Sequence, residues 1–272
     1  MSNVIVVGIS GPSCSGKTAI ALNLLKVFPH TVIIHQDDFY KTDSQIPTHA
    51  DLGVQDWDCP RAMDMPRLVQ EIRNVRQQLE CRDTRSSDQI GDIRNHLASQ
   101  WANPSKDVDQ LISAEALASI KEQVLRSLGV AGTSQVPFSI ILVEGILLFH
   151  DNDQSSEHHP GTVCDTGVFI YAKYETLKMR REARTSYATV EGVWADPPGY
   201  FDSLVWPNYV KYHAGFVAAH PELATDRMAN KADAAQDPWG GKVVICSSDT
   251  AAEDTLRQCV LAILAEWHKR SH

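Results

Sequence analysis

Residues 11–18 read GPSCSGKT, which fits the pattern G-x-x-x-x-G-K-[ST]. In such a loop, backbone N–H groups converge on phosphate oxygens at the start of a helix. Gly11, Ser13, Cys14, Ser15 and Gly16 would form the cradle. Lys17 would reach the outer phosphates of ATP, and Thr18 would ligate Mg²⁺. The plain alternative is a glycine turn with a helix-capping threonine. An apolar strand-like run before the motif and a helical period after it favour the phosphate loop.

Moving a phosphoryl group onto a small acceptor needs three more parts: a carboxylate near the attacking hydroxyl, an acid near the metal, and cations over the transferring group. HQDDFY (35–40) offers Asp37 and Asp38 at the end of an apolar run. Asp38 alone reads as a turn residue. Glu144 closes the run FSIILVEG, and a carboxylate there is costly to bury without a partner. Arg180, Arg181 and Arg184 lie in KMRREARTSY (178–187). Helical spacing puts Arg180 and Arg184 on one face, with Arg181 about 100° away. One face would clamp phosphates and the other would reach the acceptor. The ordinary alternative is a solvated face paired with Glu175 and Glu182.

Elements able to hold these residues follow from the periodicity. Strands are expected over 3–10, 30–36, 138–149, 166–172 and 242–248. A helix should begin near Gly16. Others should cover 64–79, with Asp64 as N-cap, and 111–128, stopped by Gly129. A last helix is expected to open on a Thr250–Glu253 capping box. This alternation predicts an α/β P-loop fold: five parallel strands in the order 2-3-1-4-5, helices on both faces, and a lid. The chain, 1–272, reads as one kinase domain. Polar, aperiodic residues 81–109 read as an insertion, 213–241 as a second one, and 178–200 as the lid. The Gly/Pro/aromatic segment 192–207 suits a lid that excludes water.

Bulk properties narrow the partners. A net charge of −9 argues against a nucleic-acid binder that works by phosphate neutralisation. The six cysteines form no CxxC pair, which suits neither a zinc site nor a redox motif and fits a reducing cytoplasm. No signal-like start and no membrane-length apolar run occur. NKAD (230–233) matches the N-K-x-D of guanine-specific GTPases, but no strand leads into it, so it reads as a surface turn.

One further stretch, GVQDWDCP (53–60), carries Trp57 between two acids with no helical or strand period around it. A large aromatic flanked by acids in a loop raises the question of what it is there to touch.

Together, GISGPSCSGKT, IIHQDDFYK, VQDWD, ILVEGILLF, the arginine helix and PPGYFDSLVWPNYVKY resemble the nicotinamide riboside kinases of the uridine kinase-like group, in a fungal-like form with insertions. The resemblance implies ATP- and Mg²⁺-dependent phosphorylation of a riboside 5′-hydroxyl, on nicotinamide riboside and by extension nicotinic acid riboside. It implies Asp37 as general base and Asp58 with Arg181 on the ribose hydroxyls. Trp57 stands in place of a stacking tyrosine, and Thr18 and Glu144 lie on the metal side, with Arg180 and Arg184 on the nucleotide. The family's second stacking aromatic has two candidates, Tyr187 first and Trp194 second. A uridine/cytidine kinase and a non-catalytic nucleotide switch are the alternative readings. Oligomeric state stays open.

Overall fold

The computed structural model describes residues 2–81, 87–98, 111–130, 136–151, 156–184, 187–188, 192–223 and 237–271. Its strands and helices, in chain order, are β1 (Val4–Ser10), α1 (Lys17–Val27), β2 (Thr31–His35), α2 (Met65–Glu80), α3 (Ser87–Ala98), α4 (Ala114–Ser127), β3 (Ser139–Gly145), α5 (Pro160–Val163), β4 (Thr166–Tyr171), α6 (Tyr174–Glu182), β5 (Tyr187–Ala188), β6 (Val193–Trp194), α7 (Trp206–Tyr212), α8 (Ala214–Ala219), β7 (Val243–Ser247) and α9 (Ala252–Ser271).

Five strands form one parallel sheet in the order β2-β3-β1-β4-β7. The numbering departs from a plain 2-3-1-4-5 because the short antiparallel pair β5–β6 intervenes before the last sheet strand. The central strands are buried on both faces, so they read as continuous apolar runs, yet the pleat still sorts them. Val4 and Val6 of β1 face a core with Leu68 and Ile72 of α2 and Leu177 of α6. Ile5, Val7 and Ile9 face Leu24 of α1, Ile120 of α4 and Ile263 of α9. Helices therefore cover both faces, and each fully buried Leu or Ile contributes about 1.5–3 kcal/mol.

Local signals explain several boundaries. The Asp64 side chain accepts from Arg67 N (3.1 Å), as the N-cap reading expects, and Pro66 fits the first turn of α2. Gly129 takes φ 67° just past α4. Other expectations are corrected. The run 138–149 is a strand only to Gly145; Leu147, Leu148 and Phe149 leave the sheet and pack in the cores. Residues 81–109, expected to lack period, contain α3, which buries Ile90 and Leu97. Arg94 of α3 donates to the carbonyls of Thr31 and Pro29 (2.8 and 2.7 Å), fastening the helix beside β2. The Thr250–Glu253 capping box does not form: Thr250 donates to Ser247 O, and Glu253 pairs with Arg257. NKAD (230–233) lies outside the described residues.

Candidate active site

The phosphate loop joins β1 to α1 at the carboxyl edge of the sheet, where ligands of open α/β folds gather. Its shape depends on three left-handed residues, Gly11 (φ 143°), Cys14 (φ 64°) and Gly16 (φ 90°). A side chain at Gly11 would collide with the Ile170 carbonyl, so glycine is needed there for space as well as for φ. Cys14 is the one non-glycine residue with positive φ among those described. Lys17 Nζ is buried and donates to Pro12 O (2.9 Å). Burial pulls its pKa down, while the charges of Glu144 and Asp37 hold it up. Ser15 Oγ is buried with no hydrogen-bond partner among the described residues, as expected of a donor waiting for a phosphate oxygen.

β2 and β3 deliver the acids. Their register sets His35 opposite Glu144. His35 Nδ1 lies 2.7 Å from Glu144 Oε1, and Thr18 Oγ1 donates to the same oxygen at 3.2 Å. Burial pushes the Glu144 carboxyl up, but the hydrogen bond and charge of His35, then Lys17 and Thr18, outweigh it and hold it below the usual range. Gln36 braces this corner, accepting from Leu147 N (2.9 Å) beside Gly145. Asp37 follows on a 3₁₀ turn, Gln36–Phe39. Asp37 is an exposed residue at the end of the sheet. Partial desolvation and the Glu144 charge push its pKa up, and Lys17 opposes them. Asp38 is pushed up to about 6, chiefly by burial.

The arginines separate in a way that helical spacing did not foresee. α6 ends at Glu182, so Arg184 lies beyond the helix and shares no helical face with Arg180. Arg180 fastens the phosphate loop to the strand end after β7, donating to Cys14 O (3.3 Å) and to Ser248 Oγ and O (3.0 Å each). Arg184 sits close enough for its charge to act on Lys17 and Asp37. Arg181 is buried. Its fork takes Asp196 (2.6 and 3.1 Å), one arm reaches Ser13 Oγ (2.7 Å), and Asp58 lies 3.7 Å off. One guanidinium thus spans the phosphate loop and the VQDWD loop. Asp196 went unnoticed in the sequence; only its place just before the PPGYFD stretch hinted at it.

The VQDWD loop is held from below. Tyr200 OH donates to Gln55 O (2.8 Å) and accepts from Trp57 N (3.3 Å). Asp56 accepts from Asn208 Nδ2 (2.7 Å) and Asp58 N (3.2 Å), so it shapes the turn. Burial raises the Asp58 pKa to about 6; Arg181 lowers it, and Asp196 and Asp56 add to the rise. Trp57 lacks a periodic face but does join a small core with Ile46, Met63, Leu147 and Tyr212, and is only 6% exposed. Tyr40 meets its ring edge-on at 5.4 Å. Trp194 lies 5.9 Å away, tilted 49°, and its Nε1 donates to Asp196 (2.9 Å). Of the two candidates for a second aromatic, the structure brings Trp194 to Trp57. The Tyr187 backbone pairs with Trp194 in the β5–β6 hairpin, and its side chain lies outside the description.

A phosphate loop flanked by strand-end acids, with an arginine bridging it to an aromatic-walled recess, defines a P-loop kinase for a small acceptor. No protein-family model matches the chain. It is 32% identical over 213 residues to the nicotinamide riboside kinase of Saccharomyces cerevisiae, covering 78% of each protein. It is 30% identical over 210 residues to that of Schizosaccharomyces pombe, covering 77% of this chain and 79% of the relative. Human nicotinamide riboside kinase 1 is 28% identical over 207 residues, or 76% of this chain and 75% of its own. The chain belongs to the nicotinamide riboside kinase family. A solved sugar kinase from Janibacter sp. HTCC2649 aligns at 10% identity and a TM-score of 0.34, and we draw nothing from that likeness.

Proposed function

We propose that the chain transfers the γ-phosphoryl group of ATP to the 5′-hydroxyl of nicotinamide riboside, giving nicotinamide mononucleotide and ADP, and that it also accepts nicotinic acid riboside. The observation that carries this reading is Arg181, which touches the phosphate loop through Ser13 and faces Asp58 beside Trp57. Family membership supports the acceptor.

Each side chain then has a task. Lys17 leaves Pro12 O for the β- and γ-phosphates, and Ser15 Oγ gains its missing partner. Arg184 adds positive charge near the transferring group, while Arg180 holds the loop in shape. Asp37 takes the proton of the 5′-hydroxyl as its oxygen attacks phosphorus and ADP departs. Its raised pKa brings it nearer to neutrality, as a general base requires. Asp58 accepts from the vicinal ribose hydroxyls, and Arg181 donates to them. Trp57 and Trp194 would offer an aromatic wall to the cationic pyridinium. The segment expected to act as a lid contributes Arg181, Asp196 and Tyr200 to the site.

The Thr18 hydroxyl and the Glu144 carboxylate, hydrogen-bonded to each other beside the phosphate loop, supply hard oxygen donors that suit Mg²⁺. Bound there, Mg²⁺ would neutralise charge on the β- and γ-phosphate oxygens. No helix among the described residues is long and apolar enough to cross a membrane. All six cysteines are free, which supports a cytoplasmic setting.

An ADP-release assay with nicotinamide riboside, uridine, cytidine and no acceptor tests the reading. Nicotinamide riboside should give the highest kcat/KM. A tenfold advantage for uridine would make the chain a pyrimidine nucleoside kinase instead, and turnover with no acceptor would make it a hydrolase.

A further inference from the structure

His35 has no part in the chemistry described so far, yet it is buried against the acid on the metal side. It ends β2, directly across from Glu144 on β3, so two rigid strands fix the contact. Its Nδ1 and the Thr18 hydroxyl both fall on Glu144 Oε1, at 2.7 and 3.2 Å. The other oxygen, Oε2, accepts no hydrogen bond among the described residues. A carboxylate held by one oxygen cannot rotate freely, and its second oxygen points in one direction.

We propose that His35 is a positioning residue. By fixing Oε1 of Glu144 it aims Oε2 at the cation that accompanies the nucleotide, and so sets the Mg²⁺ affinity of the nucleotide complex. Partners that orient a ligating carboxylate typically change metal affinity or activity by roughly 10–100-fold when lost. This inference rests on the metal-side role proposed for Glu144 and Thr18. Its test uses no riboside, so its failure is separable from a wrong acceptor.

Binding of ATP to the full chain is measured by calorimetry across a Mg²⁺ titration, at one pH, for wild type, His35→Ala, His35→Asn and His35→Gln. His35→Ala should raise the half-saturating Mg²⁺ roughly 10–100-fold, while Mg²⁺-free ATP binding stays within about twofold. An asparagine amide can stand where Nδ1 stands; a glutamine amide reaches the position of Nε2. His35→Asn should therefore recover most of the Mg²⁺ response and His35→Gln little of it, a difference of roughly fivefold or more. In turnover assays kcat should fall, with KM for the riboside unchanged. If His35→Ala does not fold, the Asn–Gln contrast decides alone. Equal Mg²⁺ responses in Asn and Gln, or a wild-type response in Ala, would overturn the proposal and leave His35 a purely structural partner.

Discussion

On the donor side of the cleft each functional side chain is fixed by a regular element or the turn next to it. Lys17 and Thr18 open α1, His35 ends β2, Asp37 follows on a 3₁₀ turn, and Glu144 sits near the end of β3. On the acceptor side Trp57 and Asp58 are not anchored that way, although Arg181 stands on α6. Trp57 and Asp58 come from a loop held by Tyr200 and Asn208, roughly 150 residues further on, and Arg181 is shared with Asp196. Sheet register sets His35 against Glu144, and the adjoining helix and turn place the rest of the donor half. The second half depends on Arg181, Asp196, Tyr200 and Asn208, so acceptor recognition should follow how that later part of the chain sits against the loop. Substitutions on the donor side should therefore act on kcat, and those on the acceptor side on KM.

The largest effect should come from the donor side. Asp37→Ala is expected to lower kcat by roughly 10²–10⁴-fold, the usual contribution of a general base, with KM for the riboside little changed. Steady-state kinetics with nicotinamide riboside measures this. Near-normal turnover would remove Asp37 from the role and blur the division between the halves.

Trp57→Ala should raise KM for the riboside with a smaller change in kcat. Loss of a stacked cation–π contact costs about 1–2 kcal/mol, or roughly 5–30-fold. Trp57 also packs against Ile46, Leu147 and Tyr212, so a thermal melt must accompany the kinetics, and Trp57→Phe supplies a variant that keeps the packing. An effect confined to KM for ATP would move Trp57 to the donor side. Trp194→Ala should raise the same KM by roughly 2–10-fold, the scale of one aromatic contact. Tyr187→Ala should change it less. The reverse order would restore Tyr187, the first candidate from the sequence.

These two halves were unequally legible in the chain. The donor side could be read because phosphate cradling needs fixed residue types at fixed local spacing, and strand ends follow from apolar runs. Gly11, Gly16, Lys17, Thr18, Asp37 and Glu144 all stand where those rules put them. Asp196, Tyr200 and Asn208 could not be read so, because their roles arise from contacts across long sequence separations. Arg184 was misplaced since spacing assumes a helix continues, whereas α6 stops at Glu182. α3 was missed because its apolar face amounts to Ile90, Ile93 and Leu97 in a polar stretch, and Arg94 completes its docking through backbone carbonyls.

The smallest and most specific prediction concerns Asp196. Asp58 is pushed up to about 6 by burial, relieved by Arg181 and worsened by Asp196. In the folded chain Asp58 keeps its proton to a higher pH than in the unfolded chain. Its contribution to stability is thus full below the ordinary carboxylate value and is lost as pH rises through about 6. If Asp58 binds the ribose hydroxyls as a carboxylate, as proposed, affinity should fall below about pH 6, approaching roughly tenfold per pH unit. Asp196→Asn removes a repelling charge but keeps an acceptor for Trp194 Nε1. It also loosens the fork that Asp196 holds, freeing Arg181 to close on Asp58. Both effects favour the Asp58 carboxylate, so the midpoint for riboside binding should move to lower pH, a few-fold gain in affinity near pH 5.5. The shifts of Asp37 and Asp38 arise from burial, Glu144 and other donor-side charges, without Asp196 among their main causes, so the acid limb of kcat should stay in place. A binding midpoint that stays put would show that Arg181 and Asp196 do not tune Asp58. A kcat limb that moves with it would show that the two halves of the cleft are coupled after all.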